Sequence, residues 1–475
     1  MSVCALGVLA ALGVIWRHPA GSNLTATVQV NGERWGVMEE AIRLDESPSV
    51  ATDRQIMALA SENKVVRANA MDLHMIPTEL YPDAVCNDGT PAGFYIRRGF
   101  GNDDLGLKLP DYRWLVFLEG GFWCWDTPSC KQRSQVYTAY MTSTGWPATR
   151  NLGGIFSTNP ALSPFAAAHQ VMVPYCSSDA WVGDIGATPS HSSHAFPYRT
   201  RHQQPRNGGV LGMHFRGQAI VRAVLGELAR VYNLGNFAGS SVTEQLYLSG
   251  CSAGARGAMA LLDSVPALVP AGVQVYGIMD SGLTLALEPF DSSLTSLTMQ
   301  AQRALVNHNA YGVLGEECRA RYVDAPWKCL VGEYRAPFLR RPYFLNEAQY
   351  DSFQLYWDLG GREPSCDGRE AEYCLQFRTA IREALVAAAA AGAGVFSNAC
   401  FKHCLSLSPD FAQDAVDPRP WATLARGGGS GGDLLTFAGA LAEWIAHGHG
   451  AGVVVMASCD GFNCGCKGSQ NDPLA

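Results

Sequence analysis

The sequence predicts an α/β fold with a mostly parallel central sheet and helices on both faces. From about residue 86 onward, short apolar runs alternate with helix-patterned stretches, and such alternation builds units whose parallel strands are covered on both sides. Hydrophobic residues make up 47% of the 475 and charged ones 16%. That supplies a large core and leaves too little charge for a disordered or coiled-coil chain. A serine flanked by glycines also stands where one apolar run meets the helix pattern that follows it.

At the start of the chain, Val3 to Trp16 form a short apolar stretch followed by Arg17-His18-Pro19. Its length suits the core of a secretory signal better than a membrane span, although the basic start of a signal is missing. Residues 1–22 are therefore expected to be a signal peptide, with an uncleaved signal anchor as the alternative. Asn23-Leu24-Thr25 just after them is a glycosylation acceptor. Residues 23–75 read as a leader or covering segment, with a strand pattern at Thr25–Val30 and a helix pattern at Asp53–Arg67. Residues 76–470 read as one catalytic domain. Its buried-strand runs are Trp114–Leu118, Gln170–Pro174, Gln245–Ser249, Val273–Met279 and Gly392–Ser397. Helix patterns fall at Gly217–Tyr232, Gly254–Val265 and Asp433–Ala446, and an Ala-rich helix from Ala387 runs into a glycine stop by Gly394.

Composition excludes several function classes. Acidic residues (43) exceed basic ones (35), the net charge is −8 and no Lys/Arg run occurs, so no nucleic-acid partner is expected. No interior apolar run reaches the ~18 residues of a membrane span, so no membrane-spanning domain is expected beyond an N-terminal anchor. Gly427–Gly432 lacks the Lys of a phosphate-binding loop and follows no clear strand, so it reads as a flexible loop. The 15 cysteines fit disulfides in an oxidising compartment, hence a secreted protein. A rival zinc reading draws on Cys400, His403, Cys404 and the terminal Cys459, Cys464 and Cys466, but no paired Cys-x-x-Cys set supports it.

The sharpest motif is Gly250-Cys251-Ser252-Ala253-Gly254, set between the strand run Gln245–Ser249 and a helix-forming segment. This is Gly-x-Ser-x-Gly in the strand–turn–helix context of a nucleophile elbow. The turn strains the serine backbone and leaves no room for side chains at 250 and 254, while the helix dipole favours charge developing near Ser252. Cys251 points to the opposite face from Ser252 and reads as a small buried apolar residue. Such an elbow needs backbone N–H donors for an oxyanion. Ala253 supplies one, and Gly120-Gly121, after the run Trp114–Leu118, supply the other.

Several separated blocks resemble the pectin acetylesterase family, which includes the Notum carboxylesterases. They are Cys86–Tyr95, Leu118-Glu119-Gly120-Gly121, Tyr175-Cys176-Ser177-Ser178-Asp179, Phe215-Arg216-Gly217, Gly250–Gly254, Asp280-Ser281-Gly282, Asn346–Asp351 and Asn398–His403. They follow the family's order over about residues 75 to 465. The resemblance implies an α/β-hydrolase fold, a Ser–Asp–His triad, secretion, and no metal or other cofactor in catalysis.

A triad of this fold runs Ser, then acid, then His along the chain. Of the histidines after Ser252, His403 follows a strand run, as a base on a late loop should, whereas His447 and His449 end a helix pattern and read as solvated. His308 is the remaining one. Position leaves Asp351 and Asp358 open as the acid; the resemblance implies Asp351. It leaves two substrate classes, an acylated polysaccharide or an acylated protein. Deacetylation of a polysaccharide such as pectin is the expectation, with removal of a fatty acyl group from a secreted protein as the alternative, and an inactive, hydrolase-like binding protein as a third. Phe122, Trp123 and Trp181 are the aromatic residues expected to touch substrate. The expected disulfides are Cys124–Cys130, closing a short loop, and Cys86–Cys176, tying the first block to the Tyr175 strand end. Setting aside Cys4 and Cys251 leaves an odd number, so at least one further cysteine is expected to be unpaired or to bridge another chain, most readily in the set Cys400, Cys404, Cys459, Cys464 and Cys466.

Overall fold

The computed structural model describes residues 70–99, 111–186, 209–236, 243–416, 435–450, 452–464 and 466, and the backbone of a few short strands outside them. The chain divides into two compact units, Met1–Val65 and Val66–Ala475. In the first, strands Val14–Trp16, Ala26–Val30 and Glu33–Arg34 pair antiparallel. The rest of residues 1–69, including the acceptor Asn23 and the helix pattern Asp53–Arg67, and the Gly427–Gly432 run lie outside the described residues.

The second unit is built on one sheet. Its strands are β1 (Ala70–Met75), β2 (Gly93–Arg97), β3 (Arg113–Leu118), β4 (Thr149–Asn151), β5 (His169–Val173), β6 (Gln245–Cys251), β7 (Gln274–Asp280), β8 (Tyr343–Asn346), β9 (Gly394–Ser397) and β10 (Val454–Met456). The order across the sheet is β10-β9-β8-β7-β6-β3-β5-β2-β1-β4. Every pair from β10 to β5 is parallel, and β2, β1 and β4 continue antiparallel. This is an α/β-hydrolase sheet. The strand β1 falls within residues assigned from sequence to the covering segment.

All five residues of β5 are buried and so is β3 from Trp114 onward, on both faces. That explains why these strands read as unbroken apolar runs rather than as alternating ones. Helices α1 (Thr127–Val136), α2 (Gly217–Tyr232), α3 (Ala253–Leu261), α4 (Leu297–Asn307), α5 (Ser352–Asp358), α6 (Ala371–Ala390) and α7 (Phe437–Ala446) connect and cover the strands. The helix α2 occupies the residues its pattern predicts and stops at Asn233, whose left-handed backbone (φ 67) caps it. The helix α3 packs on β6 and β7.

The solvated reading of His449 is wrong. His449 is buried, stacks on Tyr276 at 3.6 Å and hydrogen-bonds the Tyr247 hydroxyl at 2.7 Å. Burial lowers its pKa to about 4, so it is a neutral packing residue under α7. His447 stays exposed, its Nδ1 against the Glu443 carbonyl.

Candidate active site

The carboxyl ends of the parallel strands gather at one end of the sheet, where open α/β sheets form their sites. The strand β6 ends at Cys251, and Ser252 follows with φ 57 and ψ −123, a conformation that a non-glycine residue holds only when its surroundings force it. A side chain at Gly254 would run into the Leu118 carbonyl. Two backbone bonds lock the bend: Ser252 N–H to Asp280 C=O at 2.9 Å, and Arg256 N–H to Ser252 C=O at 3.0 Å.

His403 lies on the loop after β9. Its Nδ1 is 2.5 Å from Asp351 Oδ2, and its Nε2 is buried with no hydrogen-bond partner. Burial opposes a charge on the imidazole, but the Asp351 carboxylate beside it, with Asp280 beyond, raises the His403 pKa above its ordinary value. The other Asp351 oxygen accepts from Gln354 N–H at 2.8 Å and so caps α5. Gln354 is fixed in turn by two bonds to the Leu285 backbone at 2.9 Å. Asp358 sits at the far end of α5, takes a hydrogen bond from the Tyr373 hydroxyl at 3.0 Å, and is pushed up to about 7 by burial. Only Asp351 of the two meets His403.

The chain joins the elbow to the His403 loop covalently. Cys251, next to Ser252, is disulfide-bonded to Cys404, next to His403. This corrects the reading of Cys251 as an unpaired apolar residue. The other pairs are Cys86–Cys176, Cys124–Cys130, Cys318–Cys329, Cys366–Cys374, Cys400–Cys466 and Cys459–Cys464. Every described cysteine is therefore paired, and the odd one expected among the C-terminal set does not exist there. The sulfurs weighed as zinc ligands, those of Cys400, Cys404, Cys459, Cys464 and Cys466, are taken up by these bonds. Asp280 adds a second tie: it accepts from Asn346 Nδ2 and Ser406 N–H, both at 2.6 Å, and Ser281 Oγ accepts from Cys404 N–H at 2.9 Å. Behind Asp351 lies Glu347, which accepts from Leu283 N–H at 2.8 Å; burial, then the Asp351 charge, hold its carboxyl well above the usual range.

After β3, Gly120 lies against the Cys251 carbonyl and Ser252, and Gly121 adopts φ +149 beneath Tyr140 and Tyr175. Ala253 is buried at the first position of α3. Beside them opens a largely apolar cavity of about 270 Å³ whose wall includes Ser252, Ala253, Phe122, Trp123, Leu294, Leu297, Phe353 and Trp357. Trp181 takes no part in it. Its ring is fully buried at 5.3 Å from Tyr175, its Nε1 donates to the Glu119 carbonyl, and its backbone is left-handed (φ 66), which turns it inward. Trp181 is a core residue and not a substrate contact. His308 is also core: it stacks on Phe215 at 4.4 Å, and burial lowers its pKa to about 3.

Sequence reasoning missed the aromatic wall of α5. Phe353 stacks on His403 at 5.2 Å, and both Phe353 and Trp357 meet Phe122 edge-on. Their i, i+4 spacing directly after Asp351 is the signal that marks one helix face. It also missed Arg256, which lines the cavity one turn past Ser252.

Comparison with known proteins agrees with this architecture. The family model for Pectinacetylesterase matches residues 65–419. The palmitoleoyl-protein carboxylesterase NOTUM of Drosophila melanogaster is 31% identical over 337 residues, 70% of this chain and 45% of that protein. The Homo sapiens protein of that name is 32% identical over 297 residues, 60% of this chain and 52% of its own length. Pectin acetylesterase 7 of Arabidopsis thaliana is 24% identical over 357 residues, 72% of this chain and 81% of that one. The chain thus spans about half the length of the curated Notum relatives it matches. A solved structure of the Wnt deacylase Notum from Drosophila superposes with a TM-score of 0.66 at 28% identity, over 83% of this chain and 98% of that one. With the family model covering most of the sheet and the loops at its carboxyl end, the chain belongs to the pectinacetylesterase family.

Proposed function

We propose that the chain is a serine carboxylesterase acting through Ser252, His403 and Asp351 on an ester whose acyl group is longer than acetyl. The observation behind the acyl length is the 270 Å³ cavity beside Ser252. A water takes roughly 30 Å³ of liquid volume, so an acetyl methyl would fill a small part of that space, while an extended aliphatic chain suits its apolar wall. The sequence favoured deacetylation of a polysaccharide; the cavity moves the preference toward a fatty acyl group on a protein or other carrier. That the Notum relatives are palmitoleoyl-protein carboxylesterases supports the same choice.

In the proposed cycle Ser252 Oγ attacks the ester carbonyl as His403 Nε2 takes its proton. The unpartnered, buried Nε2 is suited to that role. Asp351 holds the imidazole in the tautomer protonated on Nδ1 and stabilises the imidazolium. Backbone amides of the Gly120–Gly121 turn and of Ala253 receive the oxyanion. The alcohol leaves with the proton from His403. A water then gives its proton to the same nitrogen and hydrolyses the acyl-serine, which frees the acid and restores Ser252. The seven disulfides support work in an oxidising compartment after export.

A series of p-nitrophenyl esters from acetate to palmitate tests this. The expected result is a kcat/KM that rises beyond butyrate; a steep fall beyond butyrate sinks the acyl length and restores polysaccharide deacetylation. Ser252→Ala should lose about 10⁶-fold in kcat, and ordinary turnover by that variant would remove Ser252 from the nucleophile role. Failure of the unaltered chain to cleave any ester leaves the inactive binding protein.

A further inference from the structure

The acyl cavity contains a cation that the ester chemistry does not use. Arg256 lies four residues beyond Ser252 on α3, about 6 Å along the axis at 1.5 Å per residue, and lines the same cavity as Ser252, Ala253 and Phe122. Among the described residues it forms no ion pair and its side chain makes no hydrogen bond; Nε is buried without a partner. Trp123 lies against it, its ring centre 3.7 Å from the guanidinium carbon. Trp123 is held there by its Nε1 bond to Gln300 Oε1 at 3.0 Å, and Gln300 by the Thr295 carbonyl at 2.9 Å. An indole covers one face of a guanidinium but satisfies none of the N–H donors in its plane.

Arg133, which also borders the cavity, likewise keeps Nη1 and Nη2 buried without a hydrogen-bond partner and differs in being anchored through Nε. Its Nε donates to Ser178 Oγ at 2.5 Å, and its guanidinium lies over the rings of Tyr137, Tyr140 and Tyr175. It belongs to the scaffold under the oxyanion turn. Burial lowers the Arg256 pKa to about 10, which leaves it charged at neutral pH. A charge in an apolar cavity with no counter-ion is unfavourable until a ligand supplies one.

We infer that Arg256 receives a carboxylate carried by a short acyl group, so that at equal chain length an ester of a dicarboxylic acid is cleaved in preference to its uncharged counterpart, with the ester carbonyl at Ser252 and the free carboxylate at Arg256. The fork of guanidinium donors matches a carboxylate in two parallel hydrogen bonds, and Trp123 holds that fork in place. One helical turn between Ser252 and Arg256 calls for a short spacer, of succinyl to adipyl length. This inference rests on the proposed esterase reading and adds a second class of acyl group beside the aliphatic one.

The test compares matched pairs on the full chain, following the acid released: monoethyl succinate against ethyl butyrate, monoethyl glutarate against ethyl pentanoate, and monoethyl adipate against ethyl hexanoate. The carboxylated member of at least one pair should show a kcat/KM about tenfold higher or more, the size of one charge-assisted hydrogen bond. That ratio should collapse in Arg256→Leu and persist in part in Arg256→Lys. Free glutarate should compete better than free pentanoate against p-nitrophenyl acetate, a measurement on the unaltered chain that decides the matter if the Leu variant does not fold. Equal or faster cleavage of the uncharged member of every pair, with p-nitrophenyl acetate still turned over, overturns this inference alone. Absence of any ester turnover overturns the esterase reading and this inference with it.

Discussion

Asp351 serves two ends with one carboxylate, one oxygen on His403 Nδ1 and the other on the first turn of α5. Replacing it with Asn keeps the shape and removes the charge, and loss of the correct imidazole tautomer typically lowers kcat by about 10⁴. Asp358→Asn, at the far end of the helix with Tyr373 as partner, should leave kcat within a few-fold; a larger loss there than at 351 would reassign the acid. The same pairing sets the pH response. His403 has its pKa raised, so the pairing contributes stability at low pH that is lost as pH rises through the folded value. The neutral imidazole that can act as base exists only above that value, and kcat/KM should fall as pH drops through an apparent pKa above the ordinary ~6.5. A limb below 6.5 would deny Asp351 its effect on His403. Ser252 is legible in the sequence because its glycines and its strand–helix setting are local. The choice between Asp351 and Asp358 is not, since both bracket one short helix and only its docking tells which end faces His403. Trp181 and Arg256 were illegible for a related reason: a side chain after left-handed backbone, or on the first turn past a strained bend, points where periodicity does not say.

At the level of elements, the Gly120–Gly121 turn, proposed to receive the oxyanion, is tightly constrained. A Cβ on Gly121 would come within 2.8 Å of the Tyr140 ring and 3.0 Å of the Tyr175 ring, at φ +149. Gly121→Ala should therefore shift the amides aimed at the oxyanion and lower kcat by about 10²–10³, as loss of one such donor does. The check is kcat on p-nitrophenyl acetate beside a thermal melt; an unchanged kcat in a folded variant would put the donors elsewhere. The long apolar strands and α2 were readable because burial on both faces leaves a continuous signal. The strand β8 escaped notice because the four residues Tyr343–Asn346 stand between Arg340-Arg341-Pro342 and the polar Asn346-Glu347, and β1 because its exposed positions break the apolar run. α5 was invisible as a helix: seven residues are too few for a period to show.

Across the whole molecule, covalent ties cross the sheet's carboxyl end. Cys86–Cys176 spans 90 residues, while Cys459–Cys464 spans 5. Restricting the unfolded chain over the longer loop stabilises more, and removing such a bridge typically costs about 2–5 kcal/mol. Cys86→Ala with Cys176→Ala should therefore lower the urea midpoint more than Cys459→Ala with Cys464→Ala; equal midpoints would show that the loop-closure account fails here. Pairing at this scale was only partly legible, because spacing suggests short loops such as Cys124–Cys130 but cannot reveal that Cys251 and Cys404 meet across 153 residues. Two stretches of the cavity's wall, finally, have unequal freedom. One is α5, whose residues hold the acid and stack on the base; the other is the stretch around Pro289, Leu294 and Leu297, which touches neither. If the proposed hydrolysis holds, an engineer widening the range of acids released should randomise the second stretch and leave the first alone, because selectivity can be retuned there without detuning the reaction.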